Sequence, residues 1–177
     1  LFTYGITLNK LDQNFQPTDG FSTRFIQTIP IYSDDLTFEN SFRASKYHSV
    51  NDNLILSAKL FFKAVNSLDD NVRVSKRVYI PSSKLRGFEA GKIGPKDGTQ
   101  YVGGNYGTAL NLNTTLPNVL NGYENLDFSL FLDVANLWHV DYDSSLDSDK
   151  IRSATGLAVN WFTPIGPLTF SYAVPIS

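Results

Sequence analysis

Few residues in this chain could support covalent or metal chemistry. The 177 residues include no cysteine and only two histidines. That composition removes a thiol nucleophile, a disulfide framework, and a thiolate or multi-histidine metal site. His139 and Asp141 are close in sequence, but no serine stands in the strained turn that a hydrolytic triad needs. We therefore expect a protein that is not an enzyme and that uses no cofactor.

Two further segments could in principle bind a ligand. An acidic segment between β-like stretches could attract calcium, but the glycine and the terminal glutamate of a calcium loop are absent. The segment 103–107 is rich in glycine, but it lacks the Gly-Lys-Ser sequence and the following helix of a phosphate loop. We interpret the first as a solvated loop and the second as a turn. The acidic segment consists of Asp141, Asp143, Asp147 and Asp149.

Composition excludes several classes of protein. The formal net charge is -2, so there is no basic footprint for nucleic acid. An apolar content of 42% is too high for a disordered chain. No apolar stretch reaches the roughly 18 residues of a transmembrane helix. A transmembrane β-barrel remains possible, because its alternating strands average to a mild hydropathy.

Apolar and polar residues alternate with a period of two over most of the chain, which predicts β-strands. Helical spacing is not convincing anywhere. The links at 50–53 and 164–167 are short, whereas those at 141–150 and 66–102 are long. The fold class is therefore all-β, an antiparallel meander of about eight strands. The strands are predicted at 2–10, 20–32, 36–47, 54–63, 110–116, 126–138, 151–163 and 168–176.

Three features favour membrane-spanning strands over a soluble sandwich. The polar faces carry mostly Ser, Thr, Asn, Gly and Ala, whereas strands facing bulk water are rich in charged residues. Their length of about 10 to 13 residues suits a tilted span of the bilayer. Aromatic residues lie near strand ends, as in an interfacial girdle. A soluble β-sandwich binding module and a passive porin remain as alternatives.

Several motifs of the second half resemble the BamA family of outer-membrane assembly factors in order and spacing. The resemblance is strong over residues 70–177 and rests on strand layout alone before that. The loop motifs are Leu85-Arg86-Gly87-Phe88, Ile93-Gly94-Pro95 and Gly103-Gly104-Asn105. The strand motifs are the segment 130–138, Ile151 to Gly156, and the segment from Trp161 to Pro175.

The resemblance implies that residues 1–177 are the C-terminal part of an outer-membrane β-barrel domain. The eight strands would be strands eight to fifteen of a sixteen-stranded barrel, and the link at about 66–102 would fold into its lumen. The chain starts at Leu1 inside a predicted strand, so we expect a piece of a longer polypeptide without the POTRA domains, the first seven strands or the last strand. Otherwise the eight strands must close on themselves, because open edges are not tolerated in hydrocarbon.

The same resemblance assigns roles to individual residues. The family pairs the loop arginine with acidic groups on the barrel wall, and Gly87 allows the tight turn that aims Arg86 inward. Asp133 lies on the polar face of its strand, so we expect it within about 4 Å of the Arg86 guanidinium. Asn113 stands where the family usually has a second acid, which leaves the contact more dependent on Asp133.

The alternation also predicts which side chains face the lumen. Arg152 and Asn160 are expected to face inward with Asp133. The side chains of Leu130, Leu132, Phe170 and Tyr172 are expected to face outward, toward lipid. The opposite arrangement would favour the soluble module.

The function implied by the resemblance is insertion and folding of other β-barrel proteins in the outer membrane. Its partners would be the outer-membrane lipid bilayer, unfolded β-barrel clients and accessory assembly lipoproteins, with no nucleic acid. A client strand would add by β-augmentation at the seam between the first and last strands. A translocation or autotransporter-assembly relative of the same superfamily is the alternative within this class.

Overall fold

The computed structural model describes residues 1–32 and 36–177. It contains one antiparallel sheet of eight strands in the order β1-β2-β3-β4-β7-β8-β9-β10, and a separate hairpin of β5 and β6. The predicted eight-stranded meander is therefore confirmed. The strands are β1 Phe2–Leu11, β2 Gly20–Ile29, β3 Thr37–Asn51, β4 Leu54–Ser67, β5 Lys96–Asp97, β6 Gln100–Tyr101, β7 Tyr106–Pro117, β8 Leu126–Trp138, β9 Arg152–Thr163 and β10 Gly166–Pro175.

Helical structure is confined to three short 3-10 turns in the described part of the chain. They are Val74–Lys76, Ser82–Lys84 and Ser144–Leu146. None of the described helices has the length and apolarity needed to cross a membrane.

Strands β3 and β4 are longer than the sequence pattern predicts. β3 continues to Asn51, and β4 continues past Lys63 to Ser67, where its ladder with β3 ends in the pairs Phe38↔Asn66 and Thr37↔Ser67. The alternation ends before that point because Ala64 and Val65, which are adjacent, are both buried. The long link consequently covers residues 68–105, slightly later than the predicted 66–102.

The two faces of the sheet differ as predicted. Leu130 is 50% exposed and Phe170 61% exposed, whereas the intervening side chains of β8, including Asp133 at 0%, are buried. Leu132 and Tyr172 are exposed with them. The face that carries Asp133 is called the inward face below, and the opposite one the outward face.

The sheet curves around its inward face. Phe15, in the link between β1 and β2, makes an edge-on ring contact with Phe162 of β9, with ring centroids 5.8 Å apart. These two elements stand far apart in the strand order, so the sheet must bend for them to meet. A soluble sandwich instead packs two sheets through their apolar faces. The single curved sheet with exposed apolar side chains outside speaks against the soluble module.

Strands β1 and β10 form the two edges of the sheet. The eight strands thus do not close on one another, so the alternative of a self-closed barrel of eight strands is wrong. In hydrocarbon, the free backbone groups of such edges require a partner strand.

The link at 68–105 folds onto the inward face and forms an apolar cluster there. Its buried residues are contributed partly by the link and partly by the walls of β4, β7 and β8. The sequence pattern treats the inward face as polar, so this cluster is a correction: apolar side chains such as Phe61 and Leu137 face inward to receive the link. The cluster consists of Phe61, Val65, Val72, Val78, Ile80, Leu85, Ile93, Ala109, Ala135 and Leu137.

Candidate functional site

The tip of the link places Arg86 against the inward face of the sheet, at β7 and β8. The 3-10 turn Ser82–Lys84 leads into Leu85, whose side chain is buried in the apolar cluster. Gly87 has φ +85, and a Cβ at this position would lie 3.0 Å from the Cβ of Ala173 on β10. Both the left-handed backbone and the close approach require glycine. The tip is thus held between a buried leucine and the wall of β10.

Arg86 and Asp133 form a bidentate ion pair. The Arg86 Nε and Nη2 atoms each donate to a different Asp133 oxygen at 2.7 Å, and the Arg86 backbone N–H donates to Oδ2 at 3.1 Å. The contact that the sequence predicts is therefore present. Such paired charge-assisted hydrogen bonds fix orientation as well as adding energy.

Three wall residues complete the surroundings of this pair. Asn111 donates from Nδ2 to Asp133 Oδ1 at 2.8 Å, so the fully buried carboxylate accepts four hydrogen bonds. Asn113 accepts from Arg86 Nη2 at 3.0 Å, and the guanidinium carbon lies 3.4 Å from the centre of the Phe131 ring. Because Asn113 is neutral, Asp133 supplies the countercharge in this cluster.

Asn111 was not predicted from the sequence. It stands directly opposite Asp133 in the ladder of β7 and β8. Once the register is known, its position on the inward face follows from the period of two. An asparagine two residues before Asn113 on the same face is the sequence signal that could have identified it.

The remaining motif residues of the link act through packing. Gly94 has φ +90, and a Cβ there would lie 2.7 Å from Leu137 Cδ2. Ile93 and Pro95 are buried, and Pro95 accepts a backbone hydrogen bond from Val102. Phe88 is half-buried against the apolar cluster. These residues let the backbone of the link lie directly on the wall.

Arg152 is the first residue of β9 and lies opposite the inward-facing Ala135. It shares the predicted inward face. Its side chain makes no ion pair or hydrogen bond with a described residue, and it is not among the partners of Asp133. The structure therefore does not bring Arg152 into the Arg86 cluster.

A second arginine that anchors the link, Arg77, was not predicted from the sequence. Its side chain is completely buried and pairs with Asp141 in the link between β8 and β9. It also donates to Val72 O at 3.1 Å and to Asn105 Oδ1 at 3.2 Å. The guanidinium carbon lies 4.8 Å from the centre of the Tyr142 ring.

Asp141 is consequently an anchor and not part of a solvated acidic loop. It accepts from the Val72 backbone N–H at 2.7 Å and from Asn105 Nδ2 at 3.0 Å. The interpretation of this aspartate as solvated was wrong, because a deeply buried guanidinium needs a carboxylate. The signal in the sequence was Asn105 of the Gly-Gly-Asn motif, whose amide bridges Arg77 and Asp141.

Opposing effects act on the pKa of Asp141. Burial, the largest single effect, raises it, whereas hydrogen bonds from Asn105, Val72 and Arg77 and the charge of Arg77 lower it. The lowering effects together prevail, so the pKa of Asp141 lies below its ordinary value. The carboxylate is therefore charged at neutral pH, as the ion pair requires.

The two arginine clusters can fix the conformation of the link. The Arg77 cluster joins the start of the link to Asn105 at its end, and the Arg86 cluster holds its tip. Among the described residues, no group of three or more His, Asp or Glu could hold a metal ion. Removing one partner of a buried pair is costly, so each cluster favours one arrangement of the link.

A curved sheet, apolar on its outward face and with a link anchored inside, defines a class of protein. It is part of an outer-membrane β-barrel with an inward-folded loop. The chain belongs to the Omp85 superfamily, whose domain model matches residues 1–177. The family places it in the outer membrane.

Individual relatives agree with this assignment. The chain is 31% identical to outer membrane protein assembly factor BamA of Neorickettsia risticii (strain Illinois), a match that covers 97% of this chain and 24% of the relative. It is 26% identical to BamA of Nitratidesulfovibrio vulgaris, over 96% of this chain and 22% of the relative. The chain thus spans about a quarter of the length of these curated relatives.

A solved structure supports the fold. The crystal structure of BamA from Haemophilus ducreyi lacking POTRA domains 1-3 matches with a TM-score of 0.88 and 27% identity. The match covers 99% of this chain and 38% of that chain. The resemblance that the loop motifs carry is therefore confirmed over the whole chain.

Proposed function

We propose that this chain is the C-terminal part of the barrel of an outer-membrane protein assembly factor. In that role it helps other β-barrel proteins to fold and insert into the outer membrane, without covalent chemistry. The observation that carries the proposal is the clamp between Arg86 and Asp133, which fixes an inward loop to the wall of a barrel similar to BamA. The curated relatives are named as assembly factors.

In the proposed mechanism, the anchored link braces the barrel while a client strand pairs with it. The link is held to β7 and β8 by Arg86 and to the β8–β9 link by Arg77. These anchors brace the wall, while a client strand pairs at the seam between the first and last strands of the full-length barrel. An exposed edge accepts an additional strand through backbone hydrogen bonds. The partners that we propose from the similarity to BamA are unfolded β-barrel clients, the lipid bilayer and accessory assembly lipoproteins.

The test is a client-folding assay with the full-length polypeptide. The protein is reconstituted into phospholipid vesicles, an unfolded outer-membrane β-barrel is added, and its folding is followed by heat-modifiable gel migration. We expect faster client folding than in empty vesicles, and a slower rate with Arg86→Ala. Arg73→Ala is the matched control, because Arg73 is an exposed arginine of the same link. Equal rates with and without the protein would refute the proposal.

A passive porin makes a different prediction. A porin needs an open, water-filled lumen, whereas the link of this chain packs an apolar cluster against the inward face. Single-channel conductance of the full-length polypeptide in a planar bilayer separates the two functions. Large, steady conductance without any effect on client folding would favour the porin.

A further inference from the structure

A small polar cavity lies on the inward face beside the tip of the link. Its volume is about 180 Å³. Side chains of six strands and of the link contribute to its lining, with Lys59, Arg86, Asn113 and Asn160 as its main polar groups. Ligand sites for drug-sized molecules have about 300–1,000 Å³, so this cavity suits a single small group.

Hydrogen-bond donors predominate among the groups that remain available in this cavity. The Asn113 oxygen accepts from Arg86, and the Asn160 oxygen accepts from Thr169 at 2.8 Å. Both amides therefore keep their NH₂ groups to donate. Lys59 makes no ion pair with a described residue, and its Nζ lies 5.7 Å from the centre of the Tyr47 ring. Lys59 and the NH₂ groups of Asn113 and Asn160 can therefore donate hydrogen bonds to an acceptor in the cavity.

The surroundings of the cavity are rich in positive charge. Burial lowers the pKa of the neighbouring Lys84, and the charges of Lys59 and Arg43 lower it further, against the opposing effect of Asp133. Arg43 stands directly opposite Arg24 on the inward face of β2 and β3. Like charges in this arrangement destabilise a sheet unless a counter-charge is present.

The acidic groups near the cavity do not neutralise Lys59. Asp133 is engaged by Arg86 through both of its oxygens. Asp52, Glu124 and Asp127 share with Lys59 the lining of an adjoining cavity toward the strand ends, but none of them forms an ion pair with Lys59. One positive charge therefore remains without a close partner among the described residues.

We propose that this cavity binds a carboxylate, supplied by an acidic side chain of an extended peptide in the barrel lumen. The single charge of Lys59 matches the single charge of a carboxylate, whose two oxygens can accept from Lys59 and from both amides. The proposal does not depend on the assembly function, because binding can be measured without any client folding.

The test uses the full-length polypeptide, folded in detergent micelles. The probe is a short fluorescent peptide with one glutamate flanked by glycine and serine, and binding is followed by fluorescence anisotropy. We expect saturable binding that weakens with added salt. A peptide with glutamine in place of the glutamate should not bind. Inorganic phosphate serves as a competitor, to distinguish a free oxyanion from an acidic peptide.

Two variants remove the site in different ways. Lys59→Gln should weaken peptide binding by about tenfold or more, because the charged donor is lost. Asn113→Asp should abolish binding while retaining an acceptor for Arg86, since it places a negative charge in the cavity. Lys96→Gln, in the exposed hairpin of β5 and β6, is the matched control and should bind as the unmodified protein does. Folding of each variant is checked by resistance of the barrel to unfolding in dodecyl sulfate.

Three results would overturn the proposal. The first is unchanged affinity in a folded Lys59→Gln or Asn113→Asp variant. The second is equal binding of the glutamine peptide. The third is binding of phosphate but not of the glutamate peptide, which would assign the cavity to a free anion.

Discussion

The Arg86 guanidinium and the Asp133 carboxylate meet through two hydrogen bonds of 2.7 Å between residues 47 positions apart in the sequence. The Asp133 side chain is completely buried, whereas that of Arg86 is 20% exposed. The tip of the link is therefore attached to β8 through a carboxylate that cannot reach water. Loss of the guanidinium leaves this charge without its strongest partner.

We expect Arg86→Ala to lower the free energy of unfolding of the full-length protein by about 3 kcal/mol, the cost of removing one partner of a buried pair. Urea unfolding in detergent micelles measures this change. Arg73→Ala, in the same link, should change it by less than about 0.5 kcal/mol. If Arg86→Ala and Arg73→Ala have the same free energy of unfolding, the ion pair of Arg86 with Asp133 does not hold the link.

The Arg77 cluster should hold the link independently of Arg86. Asp141→Asn removes the countercharge of a fully buried guanidinium, so we expect faster protease cleavage within the link and within the β8–β9 link. The two clusters share no partner residue, and distant effects usually add within about 0.5 kcal/mol. The combined Arg86→Ala and Asp141→Asn variant should therefore lose the sum of the two single effects in urea unfolding. A marked departure from additivity would mean that the clusters act as one.

Acid should weaken the Arg77 cluster in a defined direction. The pKa of Asp141 is lowered in the folded protein from an ordinary value of 3.8. Its contribution to stability is thus fully present above that value and is lost as the pH falls through the lower folded pKa. Urea unfolding at a series of acidic pH values should show a shallower decline in Asp141→Asn than in the unmodified protein. Identical declines would exclude this role of Asp141.

Gly94 should tolerate no side chain, for a reason that Gly91 does not share. Both have positive φ, but a Cβ at Gly94 would lie 2.7 Å from Leu137 Cδ2, whereas one at Gly91 meets nothing within 4 Å. Gly91→Ala should cost about 1–2 kcal/mol for the backbone alone. Gly94→Ala should cost about 1–3 kcal/mol more, as in an overpacked core. Equal losses in thermal unfolding would show that the link does not pack on Leu137.

The outward face should respond to charge according to depth. Leu132 lies in the middle of β8 and Leu126 at its start. Leu132→Arg should cost about 2–4 kcal/mol in lipid vesicles, and Leu126→Arg about 0–1 kcal/mol, because the cost falls from the bilayer midplane to the interface. Folding free energies in vesicles give both values. Similar costs at the two positions would contradict a transmembrane orientation of β8.

Local alternation predicted the eight strands of the sheet and the face of their alternating side chains, but not the full length of β3 and β4 or the short hairpin of β5 and β6. Leu130 and Asp133 differ by three positions, so a period of two puts them on opposite faces whatever the rest of the chain does. The contact of Arg86 with Asp133 needed more than alternation, because it came from the resemblance of the loop motif. With that motif the partner could be named, since Asp133 lies on the inward face of β8 within the strand motif 130–138.

The sequence by itself determined the eight strands of the sheet and which of their side chains face inward, because a strand's period of two depends only on neighbouring residues. The tertiary structure decided which distant groups meet. Arg77 and Asp141 are 64 positions apart, and only the path of the link brings them together. The burial of Arg77 and the inward apolar cluster likewise depend on a loop packed against the sheet. No local sequence pattern encodes contacts between residues so far apart in the chain.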